Sequence, residues 1–148
     1  MKVSAKTRYA LRTLLDIALH ETTARPRTIK EISQSQGISE KFISRLVVPL
    51  REQGMIHSER GKQGGFRLAK APQDITLLAV LELMEGPISL VDCVADTTAC
   101  IRGKECSVRS VWADVNNAVR ASLHGITLEN VLAAVGDSLP SAIPEYLI

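Results

Sequence analysis

The chain has 148 residues, 45% apolar but only 3% aromatic, enough for one aliphatic core or a small domain with an appended arm. Its 18 Lys and Arg against 16 Asp and Glu give a formal net charge of +2. No apolar run reaches the roughly 18 residues of a membrane span, and Met1 to Ser4 do not open a signal peptide, so a cytoplasmic protein with no membrane partner is expected.

The small net charge hides a split. Residues 1–70 hold 14 Lys and Arg and 6 Asp and Glu, a net of +8, whereas residues 71–148 hold 4 and 10, a net of −6. Such a separation fits an end built for a polyanion, although an ordinary solvated surface is also charged.

A first helix is expected from about Ala5 to His20, with Leu11, Leu14, Leu15 and Ala18 as its apolar stripe and Lys2, Lys6, Arg8 and Arg12 near its start. After Arg25-Pro26-Arg27, Thr28 and Glu31 have capping-box spacing: the hydroxyl can accept a backbone N–H while the carboxylate reaches back to the cap amide. They open a short helix to about Ser35. Gly37 supplies the positive φ of a tight turn, and Ser39 caps the next helix. There Phe42, Leu46 and Leu50 recur every four residues, leaving Lys41, Ser44 and Arg45 on another face. Pro49 is expected to kink or divide this helix, and Gly54 to end it.

Residues 55–59 and 66–68 read as short strands around a basic loop containing Gly61, Gly64 and Gly65, hence a β-hairpin. The loop has neither P-loop spacing nor the dinucleotide fingerprint. Thr76 caps a helix over Leu77 to Glu85, with Ile75 able to staple onto Val80, and Gly86-Pro87 stop it. Asp92 to Cys106 reads as a loop holding all three cysteines, Cys93, Cys100 and Cys106. A long helix from about Ser107 to Leu123 carries Val108, Val111, Trp112, Val115, Val119 and Leu123 on one stripe. Thr127 caps a last helix to about Val135, and the tail with Pro140 and Pro144 is expected to be weakly ordered.

Short helix, glycine turn, polar-faced helix and basic hairpin is the order of a winged helix-turn-helix, so the expected class is mainly α with a small β-hairpin wing. The second helix of the pair can enter a major groove about 12 Å wide, and a glycine-rich hairpin tip can approach the backbone closely. Ser39, Lys41, Ser44 and Arg45 are candidate groove residues. Arg60, Lys62 and Arg67 belong to the wing, and Lys6, Arg8 and Arg12 are phosphate candidates. A helix-turn-helix used only for protein contacts would leave the basic half unexplained.

Three cysteines fit poorly with a secreted disulfide framework and point to metal or redox chemistry. Thiolates are the usual iron–sulfur ligands, with six residues between Cys93 and Cys100 and five between Cys100 and Cys106. Zinc would need a fourth ligand, and no CxxC pair occurs. The thiols could otherwise be small buried apolar groups, or a metal-free switch beside Arg102, Lys104 and Arg109. No Ser/His/Asp or Cys/His constellation stands in a catalytic setting, so no enzyme is expected. A small iron–sulfur electron carrier is a further alternative.

The chain resembles the IscR/NsrR family of bacterial transcription regulators, the Rrf2 family. The resemblance lies in Lys6-Thr7-Arg8-Tyr9-Ala10-Leu11, Gln36-Gly37-Ile38-Ser39, Arg60-Gly61 with Gly64-Gly65-Phe66, and Ile126-Thr127-Leu128, with the cysteine trio and Trp112 in matching places. It spans about Met1 to Val135. It implies a homodimer joined through the Ser107–Leu123 helix, binding a pseudo-palindromic operator in double-stranded DNA. It also implies a cluster held by Cys93, Cys100 and Cys106, two-iron two-sulfur favoured over four-iron four-sulfur. Where one subgroup has a ligating histidine this chain has Arg109, and where others lend an acidic residue from the first helix it has Thr7 and Arg8. Asp92, Asp96 and Glu105 are the nearest candidates for a fourth ligand. On this reading 1–70 is the DNA-binding region, 71–91 a connecting helix, 92–106 the cluster loop, 107–135 the dimerisation and C-terminal helices, and 136–148 a tail. Either cluster occupancy or a cluster-free cysteine redox switch would set DNA affinity.

Overall fold

The structure, a computed structural model, describes residues 2–22, 25–61, 64–102 and 105–137. Their order is α1 (Ala5–Leu19), α2 (Ile29–Gln36), α3 (Glu40–Glu52), β1 (Ile56–Glu59), β2 (Gly65–Leu68), α4 (Leu77–Glu85), α5 (Asp92–Ala95), α6 (Ser107–Gly125) and α7 (Leu128–Asp137). The strands form one antiparallel hairpin with Ile56 opposite Leu68 and Glu59 opposite Gly65. The chain is therefore mainly helical with a two-stranded wing, as its sequence leads one to expect. No helix among the described residues is long and apolar enough to cross a membrane. Lys62 and the Pro140 and Pro144 tail lie outside the described residues.

Local signals set the element boundaries. Thr28 Oγ1 accepts the Glu31 N–H (3.2 Å) and Glu31 Oε2 accepts the Thr28 N–H (2.9 Å), the reciprocal cap expected of that pair. Gly37 turns the chain with φ +62°, and Ser39 Oγ accepts the Phe42 N–H (3.3 Å). At the end of α3, Gly54 (φ +63°) donates to the Arg51 carbonyl and Met55 to that of Leu50, both at 2.9 Å. Thr76 Oγ1 accepts the Ala79 N–H to open α4 (3.1 Å).

α1 is the central strut, packed by α2, α3, α4, α7 and β2. This shifts its buried face from the expected stripe. Ala10, Leu14 and Ile17 are fully buried, whereas Leu11, Leu15 and Ala18 flank them half-buried. A helix covered on several sides buries a wide arc, here wide enough to take in Thr7, Thr13 and Asp16. Ile32, Ile43, Leu46, Leu50, Ile56 and Val80 close the core around it. Pro49 does not divide α3, which runs unbroken from Glu40 to Glu52. One helical donor is lost, but the buried Leu46, Val47 and Leu50 hold the turn in place.

The C-terminal half packs on α1 through α4 and α7, and a backbone bridge ties those two helices together. Leu77 N–H donates to the Ile126 carbonyl and Leu128 N–H to that of Ile75, each at 2.8 Å, joining the starts of α4 and α7. The cysteine segment is not a loop throughout. Asp92–Ala95 makes one helical turn and Thr97–Ala99 a tighter one, because Asp96 Oδ1 caps the Thr98 N–H at 2.8 Å.

Candidate nucleic-acid interface and cysteine loop

α3 presents an exposed face of Lys41, Ser44, Arg45 and Val48 while Ile43, Leu46, Val47 and Leu50 anchor it from behind. Ser44 Oγ donates to the Glu40 carbonyl (2.7 Å), which leaves the hydroxyl's lone pairs outward. Ser39 stays exposed at the helix start, its oxygen engaged as the cap. Val48, 42% exposed, shares this face and is a residue that charge-seeking sequence reasoning overlooks. The available signal is spacing: it lies four residues after Ser44 and seven after Lys41, on the same face. An exposed aliphatic group in a groove suits a thymine methyl.

The three cations of α1 differ in surroundings. Lys6 Nζ donates to the Met84 carbonyl (3.2 Å) and Arg8 Nε to that of Ser4 (3.4 Å). Arg12 Nε donates to Gln36 Oε1 (3.1 Å), and its NH2 group bonds the Gln36 carbonyl. The Arg12 guanidinium also lies 5.7 Å from the centre of the Tyr9 ring, which meets Phe42 edge-on at 5.4 Å. Arg12 thus links α1 to the end of α2.

In the wing, Arg60 is exposed. Arg67 is only 18% exposed, donating from Nε to Glu59 (3.0 Å) and from NH1 to the Glu21 carbonyl (3.1 Å). Its place is that of a brace across the hairpin, unlike Arg60. The wing has a third, short member: Arg27 and Phe66 exchange two backbone hydrogen bonds, at 3.0 and 2.8 Å. A Cβ on Gly65 would stand 2.6 Å from the Arg27 oxygen, so only glycine lets the strap lie this close.

Beneath the wing sits a carboxylate that sequence reasoning missed. Asp16, 1% exposed, accepts Arg27 Nε on Oδ1 (2.7 Å), and Ser35 Oγ and Gln36 Nε2 (3.1 Å) on Oδ2. Burial works strongly against its charge, yet the bonds from Arg27, Ser35 and Gln36 hold its pKa below the ordinary carboxylate value. Glu31 beside it is held down to about 2, first by the Thr28 N–H and also by the Thr28 hydroxyl and Arg25.

The cysteines lie on the segment between α4 and α6. Cys93 and Cys106 are half-buried, Cys100 is exposed, and all three thiols are free. Among the described residues no three His, Cys, Asp or Glu side chains converge as a metal cage. As a donor set, three thiols without disulfide partners on one short segment fit thiolate ligation of a cluster, provided the segment closes around it. Of the fourth-ligand candidates, Asp96 is engaged by Thr98, whose N–H and hydroxyl lower its pKa, whereas Asp92 and Glu105 are exposed carboxylates. Arg109 does not face this donor set idly: its Nε donates to the Cys93 carbonyl (2.8 Å) and ties the first cysteine turn to α6.

α6 itself is inverted relative to a core helix. Val108 is 59% exposed, Val111 58%, and Trp112 and Val115 43% each, while Asn116 is buried and its Oδ1 accepts the Leu90 N–H at 3.1 Å. Only the last part of the stripe packs within the chain, with Leu123 against Leu78, Leu81 and Ile88. Arg120 pairs with Glu82 of α4 on that inner side, and this bond lowers the Glu82 pKa.

Comparison with known proteins places these features. The family described as Rrf2, "Iron-dependent Transcriptional regulator", matches residues 3–134. The protein rrf2 of Nitratidesulfovibrio vulgaris is 37% identical over 135 residues, 89% of this chain and 87% of that one. Among solved structures, CymR, the global cysteine regulator of B. subtilis, superposes with a TM-score of 0.76 at 32% identity, covering 90% of this chain and 98% of its own. T. potens IscR superposes at 0.73 with 29% identity, covering 96% and 94%.

Proposed function

The chain belongs to the Rrf2 family of transcriptional regulators, and we propose that it acts as a homodimer whose affinity for a pseudo-palindromic DNA operator is set by an iron–sulfur cluster on Cys93, Cys100 and Cys106. The observation that carries the reading is the position of the thiols. They sit on the one segment joining α4 to α6, and Arg109 fastens the Cys93 turn to α6 through a 2.8 Å hydrogen bond. The bared Val and Trp stripe of α6 suits a partner helix, and the exposed face of α3 suits a major groove. A twofold dimer sets two such faces about 34 Å apart along a duplex.

When bound, a cluster of this kind supplies a core that gains or loses electrons or is dismantled by an oxidant. The protein's own part is mechanical. Cys93, Cys100 and Cys106 would hold the cluster, and a shift of the Cys93 turn on binding it would bear on Arg109 and α6, whose inner side holds α4 through Arg120 and Glu82. The rearrangement needed is small, since a tenfold change in DNA affinity corresponds to only about 1.4 kcal/mol.

Anaerobic purification followed by iron and sulfide assay, ultraviolet–visible and Mössbauer spectra, and DNA-binding titration tests the proposal. Coloured protein whose operator affinity changes on cluster loss is expected. Protein that stays colourless and iron-free after anaerobic reconstitution defeats it. A second reading, a cluster-free thiol switch, is favoured by the exposed Cys100 and by the match to a cysteine regulator. In that case oxidant alone changes DNA affinity, and Cys93→Ser abolishes the response.

A further inference from the structure

We infer that Asp16 is the positioning residue that fixes the wing against the recognition helix α3, so that Arg60 and Arg45 reach one duplex together. The inference rests on the DNA-binding reading above and extends it to a residue that itself touches no DNA.

The two oxygens of the Asp16 carboxylate serve two different elements. Oδ1 accepts Arg27 Nε (2.7 Å) and Oδ2 accepts Ser35 and Gln36, at the end of α2 just before the Gly37 turn. Arg27 in turn is laced to β2 by its two backbone bonds with Phe66, pressed against the Cβ-free Gly65. Gln36 is held by Arg12, which stacks on Tyr9, and Tyr9 meets Phe42 of α3. A continuous path thus runs from the middle of the wing through one buried carboxylate to the recognition helix.

The wing needs such a second anchor. At its base it is joined to α3 by Gly54 and by the Ala69 N–H to Met55 carbonyl bond (2.9 Å), and to Glu21 after α1 by Arg67 NH1 (3.1 Å) and the Leu68 N–H (3.3 Å). A two-stranded ribbon held only at its base is free to swing, because a lone hairpin has little stability of its own. The strap at Arg27 and Phe66 is the contact farther along the hairpin, and Asp16 is the buried group that fastens the strap to the body, with the Glu31 carboxylate farther from Arg27 at 4.0 Å. A charge-assisted bond is directional, so it sets an orientation as well as an affinity. The hydrophobic core does not depend on it, since Ala10, Leu14 and Ile17 anchor α1 independently.

Asp16→Asn keeps the side chain's size but removes the charge and replaces one of the two acceptor oxygens by an NH2 donor facing Arg27, or Ser35 and Gln36. The test is a pair of double-mutant cycles in the full-length dimer, titrated against the best duplex that wild-type protein selects from a random-sequence library. Asp16→Asn is expected to weaken binding about tenfold or more. Arg60→Ala is then expected to lose most of its effect in the Asp16→Asn background, while Arg45→Ala keeps its full effect there. A general loss of stability would not couple to one of these arginines and spare the other. Should Asp16→Asn fail to fold by circular dichroism, Arg27→Lys enters the same cycles, because it keeps the charge but removes the Nε bond. Equal fold-losses for Arg60→Ala in the wild-type and variant backgrounds overturn the inference while leaving DNA binding intact. Selection of no duplex by wild-type protein overturns the DNA-binding reading and this inference with it.

Discussion

Replacing Val111 and Val115 together by alanine tests whether the bared face of α6 meets a second copy of the chain. Neither side chain lies in the monomer's core, so the fold of one chain keeps its contacts. Each Val→Ala change removes two methyl-sized groups, worth about 0.8 kcal/mol apiece when fully buried. The exposures of 58% and 43% leave roughly half of each side chain for a partner to cover, or about 0.8 kcal/mol per residue. A twofold axis repeats both changes, so four truncations cost about 3 kcal/mol, or roughly 200-fold in the dimer Kd. Sedimentation equilibrium over a range of concentrations measures that constant, with a far-ultraviolet dichroism spectrum to confirm retained helix. A weakened dimer should also bind DNA with a lower apparent affinity at dilute protein, because each monomer reads only one half-site. A Kd unchanged from wild type, with the fold intact, refutes the assignment of this stripe to an interface.

Thr28→Ala removes the hydroxyl that caps α2 and should destabilise the protein by about 1 kcal/mol, read as a lower urea midpoint with unchanged slope. Glu31 has a folded pKa of about 2 against an ordinary 4.5, so its contribution is complete above 4.5 and is lost as pH falls from 4.5 towards 2. Glu31→Gln should therefore flatten the pH dependence of the urea midpoint in that window, and an equally steep dependence would refute the assignment. Arg109→His offers an imidazole near the cysteines but gives up the bond to the Cys93 carbonyl. If a fourth ligand limits the cluster, this variant should retain iron longer after anaerobic reconstitution than wild type, whereas faster loss would show that the Arg109 tether matters more.

The winged helix was legible because its instructions are local. Thr28 with Glu31, Gly37, Ser39, Gly54 and Thr76 each act within a few residues of themselves, and each does in the fold what its spacing announces. What the sequence hides are pairings between elements. Asp16 looks like any charge on a helix, and its partner Arg27 reads as a loop cation until α1 and the wing come together. A faint signal existed: Asp16 shares the buried arc with Thr13 and Ile17. Arg67 hides a pairing of the same kind, since the sequence shows a basic wing residue and the fold brings Glu59 and the Glu21 carbonyl to its guanidinium.

α6 shows most clearly where periodicity stops being informative. A stripe of Val108, Val111, Trp112 and Val115 says that the helix has an apolar side, and the same stripe would serve a monomer's core or a partner's surface. The two cases differ only in which face the rest of the chain covers. Here α4 and the segment before the cysteines cover the face that carries Asn116 and Arg120, satisfying them through the Leu90 N–H and Glu82. Polar groups are spent inward and the large apolar ones are left outward, an arrangement that costs a lone chain the burial of a Trp and three Val side chains. A domain bears that cost when another surface recovers it, and a second copy would supply a matching apolar helix along the same stripe. The cysteine segment runs into the first turn of that helix, with Arg109 as its tether. The thiols thus lie beside the helix face at which the proposed dimer would join, and α4 offers a second route to α1 through the Lys6 bond to the Met84 carbonyl.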